Sequence, residues 1–126
     1  MNCPPGRAEV ALLRMRAEEL KGHLDALLLA ALEPGPRHGY AVMESLRETT
    51  GGRLDLPTGT IYPALHRLAT AGLISGSWSV VGGRRRRVYQ LTDAGTHALA
   101  GRRADWRDFA ATISAALEGR LCPDPA

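Results

Sequence analysis

Apolar residues recur at spacings of three and four positions over most of the 126-residue chain, which is the pattern of amphipathic helices. The predicted helices cover about 8–20, 23–33, 38–49, 58–71 and 93–118. Pro34 and Pro36 end the second of these helices, and Gly72 ends the fourth. Gly22 separates the first two helices, because glycine opposes a continuous helix.

Two short runs rich in strand-forming residues lie between the last two predicted helices. They cover 73–80 and 86–91 and flank Gly82 and Gly83, which favour a tight turn. Three central helices followed by a hairpin form a winged helix-turn-helix, so the fold class is mainly α with a two-stranded β-hairpin. We expect an N-terminal arm and helix over 1–21, a DNA-binding winged helix-turn-helix over 22–91, a C-terminal dimerisation helix over 92–120 and a flexible tail over 121–126.

The predicted helix 58–71 has two chemically different faces. Ile61, Leu65 and Leu68 recur at helical spacing and are expected in the core. The other positions supply the candidate DNA-binding residues Thr58, Gly59, Thr60, Tyr62, Pro63, His66 and Arg67. A helix with one polar face suits the major groove, and its free N–H groups attract phosphate. We expect Thr58 at the N-cap. The alternatives are a core position for Tyr62 and a solvated charge at Arg67.

The formal net charge of +3 is distributed unevenly along the chain. Residues 34–91 hold eight basic and three acidic side chains, whereas the remainder holds eight basic and ten acidic ones. The run from Arg84 to Arg87 follows the glycine turn and suits phosphate or minor-groove contact. Arg84, Arg85 and Arg86 are the candidates, although strand alternation sends neighbours to opposite faces. The alternative is a solvated basic hairpin without a ligand.

Several function classes find no support in the sequence. It contains none of the common nucleophile, phosphate-loop or metalloprotease motifs, and Cys3 and Cys122 lack metal-ligand spacing. No apolar run approaches the ~20 residues of a membrane span, and the start lacks a secretory pattern. We therefore expect a cytoplasmic protein that is not an enzyme and has no cofactor or metal. A protein-interaction module and a thiol- or metal-responsive regulator on the same fold stay open as alternatives.

The segment 20–95 resembles the PadR family of transcriptional regulators. The matching residues are LKGHLDALLLAAL at 20–32, GPRHGYAVMESL at 35–46, PTGTIYPALHRLATAGLI at 57–74 and GGRRRRVYQLTDAG at 82–95. The resemblance implies a winged helix, a homodimer and double-stranded promoter DNA as the partner, with repression as the usual outcome. It also places His38 near a helix cap, Gly39 at a close approach and Tyr40 in packing. The single C-terminal helix is similar to that of the smaller PadR subfamily.

The long final helix carries an apolar stripe that a three-helix core does not cover. The candidate dimerisation residues are Leu13, Leu20, Leu99, Trp106, Phe109, Ile113 and Leu117. A dimer would set two recognition helices roughly 34–36 Å apart and predicts a palindromic operator. Trp106 has two interpretations, a residue of the dimer core or the wall of a cavity for a small aromatic effector. The first is the simpler interpretation, and the resemblance raises the second, because some members of the short subfamily bind drugs or aromatic molecules.

Overall fold

The computed structural model describes Leu20 and residues 22–119. The elements are α1 (Leu24–Leu32), β1 (Arg37–His38), α2 (Gly39–Thr49), α3 (Thr58–Thr70), β2 (Ile74–Val81), β3 (Arg84–Leu91) and α4 (Asp93–Glu118). The prediction of a mainly α fold with a hairpin is confirmed. The predicted helix 8–20 lies outside the described residues, except for Leu20.

The three strands form one small antiparallel sheet in the order β1, β3, β2. Gly82 and Gly83 join β2 to β3 with φ angles of +59° and +79°, the left-handed backbone that a two-residue hairpin turn needs. Strand β1 was not predicted, because two residues are too short to show a period. The second strand begins at Arg84, two residues earlier than predicted, so Arg84 and Arg85 also lie within β3.

The core lies where α1, α2 and α3 meet the base of the sheet. Its fully buried side chains are Leu28, Leu29, Leu32, Val42, Ile61, Leu65, Leu68, Ile74 and Leu99. Burying each such side chain stabilises the fold by about 1.5–3 kcal/mol. The predicted apolar face of α3 is therefore confirmed, and its burial fixes the rotation of α3 about its own axis.

Both ends of α3 are set by the backbone. Pro57, and not Thr58, occupies the N-cap, which corrects the sequence expectation. The extended backbone of Pro57 lets its carbonyl accept from the N–H groups of Thr60 and Ile61 at 2.9 and 3.1 Å. At the other end Gly72 has φ +81° and its N–H donates to the carbonyl of Ala69 at 3.0 Å. Such a glycine turn ends the helix and leads the chain directly into β2.

Helix α4 starts in close contact with the winged domain. The Thr92 hydroxyl caps it by accepting from the Gly95 N–H at 3.1 Å, and it donates to the Gly72 carbonyl at 2.7 Å. Gly95 lies so close to the Leu73 carbonyl that a Cβ atom would overlap it. Leu20 and Leu99 are buried in the core of the single chain, which corrects their assignment to a subunit interface. Leu13 lies outside the described residues.

Candidate nucleic-acid interface

The exposed face of α3 lies directly opposite its buried face. A helix turns by about 100° per residue, so Gly59, Pro63, His66 and Thr70 follow one another along the centre of that face. All four are exposed, as is Thr58, while Thr60 is half-buried. Pro63 has no N–H, so the exposed Gly59 carbonyl loses its usual partner in the helix. The candidate residues predicted on α3 thus share one accessible surface.

Tyr62 lies at one flank of this surface, against the start of α2. The side chain is 42% exposed, so it is not a core aromatic. A Cβ atom added to Gly39 would lie 2.7 Å from Cζ and 2.8 Å from Oη of Tyr62. The Tyr62 ring therefore occupies the space that a side chain at position 39 would fill, which agrees with the expected close approach at Gly39. His38 caps α2 by accepting from the Ala41 N–H at 3.3 Å, whereas Tyr40 is exposed, so the expectation that it packs was wrong.

Arg67 lies at the other flank, next to α1. Its guanidinium Nη2 donates to the Asp25 carboxylate at 2.7 Å, and its side chain is 59% exposed. Asp25 is 42 positions away in the sequence, and no local pattern indicated this partner. Arg67 is thus an accessible cation that already has a carboxylate partner in the absence of DNA.

The arginines of the hairpin divide between its two faces. Residues directly opposite in an antiparallel pair point to the same side of the sheet. Arg84 pairs with Val81 and Arg86 with Ser79, which places these two arginines on one face. On the other face Arg85 pairs with Val80 and Arg87 with Trp78. The Trp78 ring is 57% exposed and was not among the predicted site residues, although the alternation along β2 could have shown its position relative to the arginines.

The second half of α4 carries an exposed apolar stripe. Its members are Trp106, Phe109, Ile113 and Leu117, each at least 41% exposed. The His23 ring meets the Trp106 ring edge-on, with centroids 5.3 Å apart, and Trp106 and Phe109 are 5.9 Å apart. Closer to the start of the helix, Arg103 donates to both Glu33 carboxylate oxygens at 2.9 and 2.7 Å. The stripe open to a partner therefore begins after the residues that fix α4 to the domain.

Over Leu20 and residues 22–119, the chain holds no group of three or more metal-ligating side chains. None of the helices in that part of the chain combines the length and apolarity needed to cross a bilayer. Cys3 and Cys122, which raised the alternative of a thiol-responsive regulator, lie outside it.

The chain is similar to known transcriptional regulators. The model of the transcriptional regulator PadR-like family matches residues 28–101. A transcriptional regulator of Mycobacterium tuberculosis is 44% identical over 63 residues, which cover 50% of this chain and 46% of that protein. A PadR-like regulator of Bacillus cereus has a similar structure, with a TM-score of 0.72 and 28% identity over 82% of this chain and 100% of that one. The structure of a PadR family regulator of Eggerthella lenta is also similar, with a TM-score of 0.70 and 31% identity. The match covers 80% of this chain and 87% of that one.

Proposed function

The chain belongs to the PadR-like family of transcriptional regulators, and we propose that it represses transcription by binding a palindromic operator as a homodimer. The observation that carries this proposal is the exposed polar face of α3, which shares one domain with an arginine-rich hairpin. The face is narrow, because its central positions are Gly59, Pro63, His66 and Thr70. A narrow polar helix can enter the major groove while the hairpin reaches the flanking backbone.

In this proposal the residues of α3 make different kinds of contact with DNA. His66, at the centre of the exposed face, is the candidate for base edges. Tyr62 and Arg67, on the two flanks, are placed for the phosphates on either side of the groove. Thr58 and Gly59 supply backbone N–H groups at the start of the helix, where an anion is favoured, and the Thr60 side chain lies next to them. Arg84, Arg85 and Arg86 are the hairpin candidates for the flanking backbone, and strand alternation divides them between its two faces.

Dimerisation is proposed to occur through the stripe Trp106, Phe109, Ile113 and Leu117. Exposed aromatic and aliphatic side chains at spacings of three and four form a continuous apolar strip, which a second copy can cover. Such a dimer presents two copies of α3, and half-sites about one helical turn apart follow from that symmetry. Repression needs only that the bound dimer occlude a promoter.

The proposal also includes a small aromatic effector that binds next to Trp106. Trp106, Phe109 and the edge-on His23 form an exposed group of rings, against which a planar apolar molecule could stack between subunits. The same rings would equally fill a dry dimer core. Binding of such a molecule would act on DNA affinity through the spacing of the two α3 helices.

The test is fluorescence anisotropy of the chain with duplex DNA from upstream of its own gene, titrated with salt. We expect specific binding that weakens linearly in log salt. His66→Ala should lower specific affinity by roughly 5- to 150-fold, the value of a base contact. His97→Ala, an exposed histidine of α4, is the matched control and should bind as the unaltered chain does. Weak binding that does not respond to salt would reject the proposal and favour a protein-interaction module.

A further inference from the structure

Trp78 lies between two arginine side chains on one face of the hairpin. The Arg85 guanidinium carbon is 4.8 Å from the centroid of the Trp78 ring, and that of Arg87 is 5.8 Å away. Both distances fall within the range of cation–π attraction. Trp78 is thus in contact with both cations of its face, although more than half of the ring is open to solvent.

A guanidinium next to an indole ring keeps its hydrogen-bonding capacity. Its N–H groups lie in the guanidinium plane, so contact through the flat face leaves the donor fork free for a phosphate. A free arginine side chain samples many rotamers, and part of this conformational entropy is lost when it binds. An arginine that is already held has less to lose, so its phosphate contact is stronger.

The glycine at position 76 completes the arrangement. A Cβ atom there would lie 2.8 Å from Nε of Arg87, so the arginine side chain crosses the strand over the space that glycine leaves open. On the opposite face, Arg84 and Arg86 lie across from Val81 and Ser79, which offer no π surface. The two arginine pairs therefore have the same charge but differ in how firmly they are held.

We infer that Trp78 is a positioning residue, which holds Arg85 and Arg87 ready to bind the phosphates of duplex DNA, and that the hairpin meets DNA with this face. The inference rests on the proposed function. It chooses between the two arginine faces, a choice that strand alternation alone leaves open.

The experiment is a double-mutant cycle on duplex affinity. Arg85→Gln with Arg87→Gln should lower affinity for all duplex sequences alike and reduce the salt slope by about 1.8. Trp78→Ala alone should lower affinity about three- to tenfold. In the Arg85→Gln and Arg87→Gln background, Trp78→Ala should have no further effect, because the residues it positions are gone.

The matched control is the double variant Arg84→Gln and Arg86→Gln, which removes the same charge from the opposite face. In that background Trp78→Ala should keep its full effect. Trp78→Phe retains a π face and should restore most of the affinity, whereas Trp78→Leu, which retains only apolar area, should not. If Trp78→Ala lowers affinity further in the Arg85→Gln and Arg87→Gln background, or if Trp78→Leu restores the affinity, the inference is overturned. Trp78 would then contribute to hairpin stability. An unaltered chain that binds no duplex would instead overturn the proposed function.

Discussion

The Arg67 guanidinium donates a hydrogen bond of 2.7 Å to the Asp25 carboxylate and so connects α3 with α1. An exposed ion pair of this kind contributes only about 0.2–1 kcal/mol to stability, because water screens both charges. Its larger consequence concerns DNA, because the Asp25 carboxylate occupies an N–H donor of Arg67, partly neutralises its charge and repels an approaching phosphate. Asp25 is therefore expected to lower the affinity for DNA.

Asp25→Asn should raise duplex affinity by a fewfold while hardly changing the melting temperature. The change replaces the carboxylate with a neutral amide, which is a weaker acceptor for Arg67, and so removes a negative charge that would repel the DNA backbone. The matched control is Glu33→Gln, which breaks an exposed ion pair at the C-cap of α1 with the same change in charge. An equal gain in both variants would mean that net charge alone is responsible, and no gain in Asp25→Asn would place Arg67 away from DNA.

Gly39→Ala should weaken DNA binding with little loss of stability. The added methyl group would meet the outer atoms of the Tyr62 ring, which can swing aside because the side chain is partly exposed. The Tyr62 ring would then move away from the start of α2. Tyr62→Ala should weaken binding to a similar extent, and the combination of both changes should add nothing further. Additive effects would show that Gly39 acts independently of Tyr62.

The sequence predicted the elements that depend on local pattern, and it missed those that depend on distant partners. The period of Ile61, Leu65 and Leu68 gave the orientation of α3, because one buried stripe leaves only one face for solvent. The glycine turn at 82–83 gave the hairpin, since few residues accept its backbone. The prediction of Thr58 as the N-cap of α3 was wrong by one residue, because Pro57 occupies that position and supplies a backbone carbonyl instead.

Distant contacts explain the remaining differences. The partner of Arg67 lies on another helix, and no spacing rule connects positions 25 and 67. Leu99 continues the stripe of α4 by period, yet the first part of that helix packs on the domain and buries it. Periodicity shows that a residue faces an apolar surface but does not show whether that surface belongs to the same chain.

Gly95→Ala should destabilise the domain by about 1–3 kcal/mol or more, the usual cost of overpacking. Its methyl group would overlap the Leu73 carbonyl, and a backbone atom cannot swing aside as a side chain can. Gly101→Ala in the same helix meets nothing within 4 Å and should stabilise by about 0.5–1 kcal/mol. Chemical denaturation measures both. Equal effects at the two positions would mean that α4 does not pack as closely as Gly95 indicates.

The ion pair between Glu33 and Arg103 predicts a pH dependence. The hydrogen bond from Arg103 lowers the pKa of the Glu33 carboxyl below its usual 4.5. Because the pKa of Glu33 is lower in the folded state, its carboxylate stabilises the fold at pH values above the pKa of the unfolded chain. This stabilisation is lost as the pH falls through the lowered pKa of the folded state. Glu33→Gln should therefore reduce the melting temperature slightly at neutral pH, with the difference vanishing in acid. Glu48→Gln, at an exposed position of α2, should show a smaller difference, and parallel curves for both variants would contradict the prediction.

The stripe on α4 predicts where the proposed dimer can be broken without unfolding the domain. Phe109 and Ile113 are exposed in the single chain, so their truncation removes nothing from its core. Phe109→Ala and Ile113→Ala should each weaken dimerisation by tenfold or more if they lie at the centre of the interface, as the loss of an anchor residue usually does. Trp106→Ala should weaken dimerisation or the response to an aromatic effector. Val80→Ala, at an exposed apolar side chain of the hairpin, is the matched control. Sedimentation velocity over a concentration series measures the equilibrium. A dimer that survives the changes on α4 but dissociates in Val80→Ala would move the proposed interface to the hairpin, away from the exposed apolar stripe of α4.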